Sequence, residues 1–190
     1  MNKRAIRFLI SVLMLSIIFS GIHAFATSYT EYKCDVKNLR FVTTIEIEKE
    51  NDEFAKVKGE IRIATDPLTM YDLNDNKIAY AGDSYRFVAQ DSHAIYVDEV
   101  LTCDMVGLID WWGESYDIYD KYEKKIAEAT FNDFNTSGKI YDMDGNKIAE
   151  YSSNYFFNDF NVKIYEECEL DEITVLMIFC SYYSDQHADN

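Results

Sequence analysis

The string Tyr-Asp-x-x-x-x-Lys-Ile-Ala occurs three times, at Tyr71 (YDLNDNKIA), Tyr119 (YDKYEKKIA) and Tyr141 (YDMDGNKIA). The second and third copies lie 22 residues apart, which is room for one hairpin and its connection. A chain with this repeat is expected to grow by setting hairpins side by side. A weaker echo, KIYEECELDE, begins at Lys163.

Each copy reads as two short strands about a turn. In the third, Asp144-Gly145 as the centre of a type I′ turn sets Asp142 opposite Lys147 and Tyr141 opposite Ile148. Cross-strand pairs of these kinds favour a sheet by roughly 0.2–1 kcal/mol each. The same register centres the first copy on Asn74-Asp75 and sets Asp72 against Lys77. In the second copy Tyr122-Glu123 suits a primed turn badly, so a longer or differently shaped loop is expected there.

The remaining sequence agrees with an all-β chain. Aromatic residues make up 15%, Pro67 is the one proline, and RFVTTIEIE, AKVKGEIRIA and HAIYVDEVL mix β-branched with alternating polar residues. Turn signals alone suggest around ten strands. The exception is ELDEITVLMIFCSYYSD, where Asp171 can cap a helix and Leu170 with Val175 can staple its start. From Ile173 to Cys180 only Thr174 is polar, so a helix here must be buried. A buried central strand is the alternative that periodicity leaves open.

The N-terminal segment MNKRAIRFLISVLMLSIIFSGIHAFA has the plan of a signal peptide: basic Lys3, Arg4 and Arg7, an apolar run from Phe8 to Ile22, and small residues at Ala24 and Ala26. Cleavage after Ala26 is expected, leaving residues 27–190 as one domain; an uncleaved membrane anchor is the alternative, since the run is near the lower limit of about 17 residues for a span. The chain carries a formal charge of −16, and its leader contains no acidic residue. Nucleic acid is therefore excluded as a partner, and anionic lipid headgroups are repelled.

Export permits disulfides among Cys34, Cys103, Cys168 and Cys180. Four cysteines allow three full pairings that sequence does not rank. Cys180 lies inside the apolar run ITVLMIFC and is expected to be a buried free thiol, which makes Cys34 with Cys103 the guess that remains. No C-x-x-C pair is present, and a zinc site of ordinary spacing is not expected.

Repeated I-Y-D-x-x-G-N-x-I-A hairpins followed by a short acidic lead and a very apolar C-terminal segment resemble the LURP-one-related family, which is akin in fold to the tubby C-terminal domain and to phospholipid scramblases. The resemblance runs from about Phe54 to Asp185, and VKGEIRIATDPLTMYDLNDNKIA and SGKIYDMDGNKIAE are its clearest parts. It implies a mainly β fold, a closed antiparallel barrel of about twelve strands around a central hydrophobic helix from Glu172 to about Tyr183. Tubby domains bind phosphoinositides through basic residues, whereas this chain is acidic and has no Lys/Arg cluster after its leader. Phosphoinositide binding is not expected.

Asp142, Asp144 and Asn146 begin like a calcium loop, D-x-[DN]-x-[DN], but Lys147 stands where an EF-hand needs glycine and Ser153 where it needs glutamate. A plain turn is the preferred reading, and a looser calcium site the minor one. Hydrolytic chemistry would have to use His93, in an expected loop, or His187, in a polar tail expected to fray. No nucleophile, zinc or phosphate-loop motif is present, so no catalytic residue and no cofactor is assigned. Trp111 and Trp112, if in a strand, point to opposite faces; hairpin packing or an edge cover is the preferred reading, and contact with a partner, a glycan or a lipid tail the sharper one. Asn135-Thr136-Ser137 fits a glycosylation acceptor. The expectation is a secreted, non-enzymatic domain that binds an unknown protein, lipid or small-molecule partner. A scramblase-like lipid-associated protein, modulated by calcium, is the alternative, with a secreted hydrolase third.

Overall fold

The computed structural model describes residues 28–39, 42–60, 67–84, 92–108, 114–132, 134, 136–153, 159–166 and 168–188. The leader, the Trp111-Trp112 pair and Asn135 lie outside the described residues.

Each strand pairs with its neighbours in sequence, and β1 (Tyr29–Leu39) closes the ring against β12 (Asp159–Tyr165). Between them run β2 (Val42–Lys49), β3 (Asp52–Glu60), β4 (Leu68–Tyr71), β5 (Lys77–Asp83), β6 (Ser92–Val97) and β7 (Val100–Leu108). Then come β8 (Glu114–Asp120), β9 (Lys125–Phe131), β10 (Ser137–Asp142) and β11 (Lys147–Ser153). The ring thus has twelve strands, where turn signals alone suggest ten. Closure removes every unpaired edge.

The repeat extends further than its letters. The pairing slips between Tyr71 and Lys77, Tyr119 and Lys125, and Tyr141 and Lys147, leaving Ile78, Ile126 and Ile148 as the extra residues of β-bulges. The same slip recurs in β2–β3 at Phe54 and in β6–β7 at Thr102. Three residues before each bulge stands a residue with positive φ: Asn51, Asp75, Glu99, Glu123 and Gly145. Five hairpins therefore share the bulge and the left-handed residue before it, with bulges spaced 24, 24, 24 and 22 residues apart; β2–β3 and β6–β7 turn through two consecutive positive-φ residues, Glu50-Asn51 and Asp98-Glu99, and the other three through a three-residue loop. Phe54 and Thr102 share no letters with the isoleucines, which is why only three copies show in the sequence.

This geometry corrects the expected register. Tyr141 faces Lys147, not Ile148, and Asp142 pairs with Asn146 through Asp142 N–H donating to the Asn146 carbonyl at 2.9 Å. The bulge lets Ile148 and Ala149 both reach the core, at 3% and 0% exposure. In every repeat the alanine of Lys-Ile-Ala faces inward: Ala79, Ala127 and Ala149 are all buried.

Small inward residues make room for α1 (Glu172–Ala188), the helix that fills the barrel. Its 17 residues span roughly 25 Å, close to the roughly 23 Å of a seven-residue strand. From Thr174 to Tyr183 every residue is buried, so no face of this helix needs to be polar. Asp171 caps it as expected, its carboxylate accepting from the Thr174 N–H at 2.8 Å and the Thr174 hydroxyl at 2.6 Å. The helix continues to Ala188 and takes in His187, where the sequence suggests a frayed tail.

Aromatic stacking fixes the helix against the wall. Phe131 on β9 lies flat on Tyr182, ring centroids 3.4 Å apart and 11° from parallel. Gly138, directly across from Phe131 on β10, leaves the space that ring occupies; a Cβ there would run into it. Cys34 and Cys103 sit on β1 and β7, six strands apart in a ring of twelve, with α1 between them. The guessed Cys34–Cys103 disulfide is thereby ruled out, and all four cysteines are free. Cys180 is fully buried.

Candidate functional site

Because α1 occupies the interior, a ligand must be taken on the outside of the barrel. A groove of about 510 Å³ runs along β5 and β6 of the described surface, large enough for a ligand and lined by Pro67, Lys77, Tyr80, Gly82, Tyr96 and Glu99 among others. Strand alternation makes it. Ala79 and Ala81 point into the core, so Tyr80 and Gly82 point out.

Gly82 sets the shape. A Cβ there would meet the Tyr80 hydroxyl at 2.7 Å and its ring at 3.0 Å, so the glycine lets Tyr80 lie along the strand instead of standing away from it. Tyr96, directly across on β6, puts its ring centroid 6.2 Å away at 51° and forms the facing wall. The Lys77 ammonium lies 4.9 Å from the Tyr80 centroid. Asp83 stands toward one end of the groove and Glu99 at the other. The result is an aromatic floor and wall between carboxylates, with a lysine ammonium over the Tyr80 ring.

The sequence contains the signal for part of this. Tyr80 and Gly82 are two apart in KIAYAGD and so share a face, but the pairing with Tyr96 appears only once β5 and β6 are placed together.

The calcium candidates are drawn together by their turn. Asp142 Oδ1 accepts from the N–H groups of Asp144 (2.9 Å) and Asn146 (2.8 Å), and its Oδ2 accepts from the Asn146 side-chain amide at 2.8 Å. Asn146 in particular, with the backbone N–H groups, holds the Asp142 carboxyl below its usual range. Asp72 repeats the arrangement with Asn74 and Asn76, and Asp120 repeats its backbone half with Tyr122 and Lys124. An ion at Asp142 would have to displace donors that shape the turn. Among the described residues no group of three or more His, Cys, Asp and Glu could hold a metal ion.

His93 is not in a loop. It stands on β6, 12% exposed, with Nε2 2.6 Å from Asp185 Oδ2 of α1. That pair ties the far end of the helix to the wall. Trp111 and Trp112, the candidate partner contacts, lie outside the described residues. Among the described residues no helix is long and apolar enough to cross a membrane.

No family profile matches the chain. No curated protein matches it either. A solved crystal structure does: a protein from Arabidopsis thaliana with a TM-score of 0.60 and 12% identity, the match covering 85% of this chain and 93% of that one. At such identity the likeness is one of fold, a twelve-strand antiparallel barrel with a C-terminal helix.

Proposed function

We propose that this protein is an exported, non-catalytic binding domain of the tubby and LURP-one kind, which takes its ligand in the groove along β5 and β6. The observation that carries this reading is the Tyr80–Tyr96 pair above Gly82. A chain that needed only a stable wall at this place would not need a glycine two residues along the same face from Tyr80, because glycine weakens a strand. Aromatic rings beside carboxylates suit a ligand with apolar faces and polar or cationic edges, such as a peptide or a glycan. Export rests on the N-terminal pattern ending at Ala26, and N-terminal sequencing of the secreted protein tests it.

Peptide and glycan arrays probed with the labelled protein test the groove. Binders that Tyr96→Ala loses while keeping its melting temperature support the reading; binders that the variant retains, or none at all, overturn it. The lipid-associated reading has its own measurement, flotation at low salt on vesicles of phosphatidylcholine with phosphatidylserine, with and without millimolar calcium. Flotation that Tyr96→Ala abolishes would move the ligand from soluble to lipid.

A further inference from the structure

In a barrel of antiparallel neighbours every second connection leaves at the same end. The β4–β5, β6–β7, β8–β9 and β10–β11 turns therefore stand together on an arc of the rim, adjacent tips about 10 Å apart at two interstrand spacings. Each presents one large apolar side chain to solvent: Leu73 (62% exposed), Val100 (57%), Tyr122 (78%) and Met143 (55%). They are four of the seven exposed large hydrophobic residues among the described residues, so this end concentrates what the rest of the surface avoids.

The turn geometry does not explain them. In three of these hairpins the turn is held by the aspartate at its start and by the positive-φ residue near its end. Leu73, Tyr122 and Met143 fall between those two positions, where a polar residue would serve as well. Exposed carboxylates lie among the apolar tips, at Asp75, Asp98, Glu99, Glu123 and Asp144, outnumbering the exposed lysines of these turns and their flanks, Lys77, Lys121 and Lys124. Lys125 and Lys147 lie back against the wall, paired with Asp117 and Glu128 and with Glu150.

We propose that this end of the barrel is a docking surface for a partner protein that presents apolar side chains among lysines and arginines. Charge selects that occupant. A second copy of the chain would bring the same carboxylates face to face, and an anionic bilayer would be repelled by a chain of net charge −16. A cationic amphipathic segment meets both requirements, since side chains seven residues apart on a helix are spaced roughly 10.5 Å, close to the spacing of the tips.

The test uses the full chain at physiological ionic strength with two synthetic peptides of equal length, one an amphipathic Lys/Leu sequence and one oligolysine. The Lys/Leu peptide is expected to bind on the order of tenfold more tightly. The triple variant L73S/Y122S/M143S should bring both peptides to the oligolysine level with an unchanged melting temperature. Met143→Ser alone, at one exposed turn position, should lose roughly a third of the difference in log affinity and serves if the triple variant does not fold. Equal affinity for the two peptides, or tip variants that bind like the parent, overturns the proposal. So does flotation on phosphatidylserine vesicles in millimolar calcium that the tip variants abolish, which would assign the tips to a membrane.

Discussion

The phenol of Tyr32 on β1 donates to the carboxylate of Glu172 in the first turn of α1, across a sequence separation of 140 residues. Lys49 on β2 reaches the same Oε2 at 2.9 Å, and its ammonium lies 5.5 Å from the centroids of both Tyr32 and Phe54. One carboxylate thus joins the first two strands of the barrel to the helix that fills it. Burial alone would raise the Glu172 carboxyl, but the bonds from Tyr32 and Lys49 outweigh it and hold the group below its ordinary value. The Tyr32 hydroxyl moves upward, through burial first and the Glu172 bond second.

Removing the phenol oxygen should loosen this join. Tyr32→Phe keeps the buried ring and leaves Glu172 with one partner fewer, at an expected cost of about 1.5 kcal/mol near neutral pH. Because the folded-state value of Glu172 is depressed, the stability it contributes is present above about pH 4.3 and is lost as pH falls through its folded value. The gap between the variant and the parent in urea midpoint should therefore narrow on acidification below pH 4. A gap constant from pH 7 to 3 would mean that the hydrogen bond is not what the phenol contributes.

A different weakness lies in the repeated turns. The residue before the short second-strand lead is in left-handed conformation in every hairpin, at φ 61° for Asp75, 64° for Glu123 and 84° for Gly145. Only the third copy uses the residue type that tolerates it without a steric penalty. Glu123→Gly is expected to stabilise the protein by about 1 kcal/mol, a rise of roughly 2–4 °C in Tm. Gly145→Ala should destabilise it, although a Cβ there would meet no atom within 4 Å. If Glu123→Gly lowers Tm, backbone strain is not what distinguishes the copies.

Asp142 gives a pH signature of the turn itself. Its carboxyl is lowered by the Asn146 amide and the backbone donors, so its contribution is present above the ordinary carboxylate value of about 3.9 and disappears as pH falls below it. Asp142→Ala should lower Tm at pH 7 and match the parent near pH 2. Millimolar calcium should leave the parent's Tm unchanged, since the oxygens an ion needs are held by the turn; a calcium-dependent rise lost in Asp142→Ala would restore the metal reading.

Much of this architecture is legible in the sequence, and the failures have physical causes. The hairpins and the Asp171 cap follow from local pattern, whereas a helix in place of a buried strand at the C-terminus rests on the family resemblance. Closure into twelve strands is reached through resemblance to a family, not through periodicity, because the connections that punctuate β3–β4 and β5–β6 carry few turn signals. The register of YDMDGNKIA is misread because Asp-Gly favours a two-residue turn in isolation. Here Asp142 instead holds a three-residue loop through its side chain, and the bulge at Ile148 returns the alanine to the core. The groove was hidden for another reason: Tyr80 and Tyr96 lie on different strands, and nothing local joins them. His93 fails similarly, since its partner is on the last turns of α1.

Thiol chemistry separates this barrel from a disulfide-bonded one. Cys34, Cys103 and Cys180 are fully buried, and Cys168, beyond β12, is partly exposed. Burial pushes the Cys180 thiol up to about 12 and raises Cys34 and Cys103 strongly as well, so none of the three supplies thiolate at neutral pH. A disulfide reagent such as dithiobisnitrobenzoate should therefore titrate one thiol in the native protein, lost in Cys168→Ser, and four in denaturant. Reduction should leave Tm unchanged, because no crosslink limits the unfolded chain. A Tm that falls with reductant would show a crosslink that the free thiols of this structure do not form.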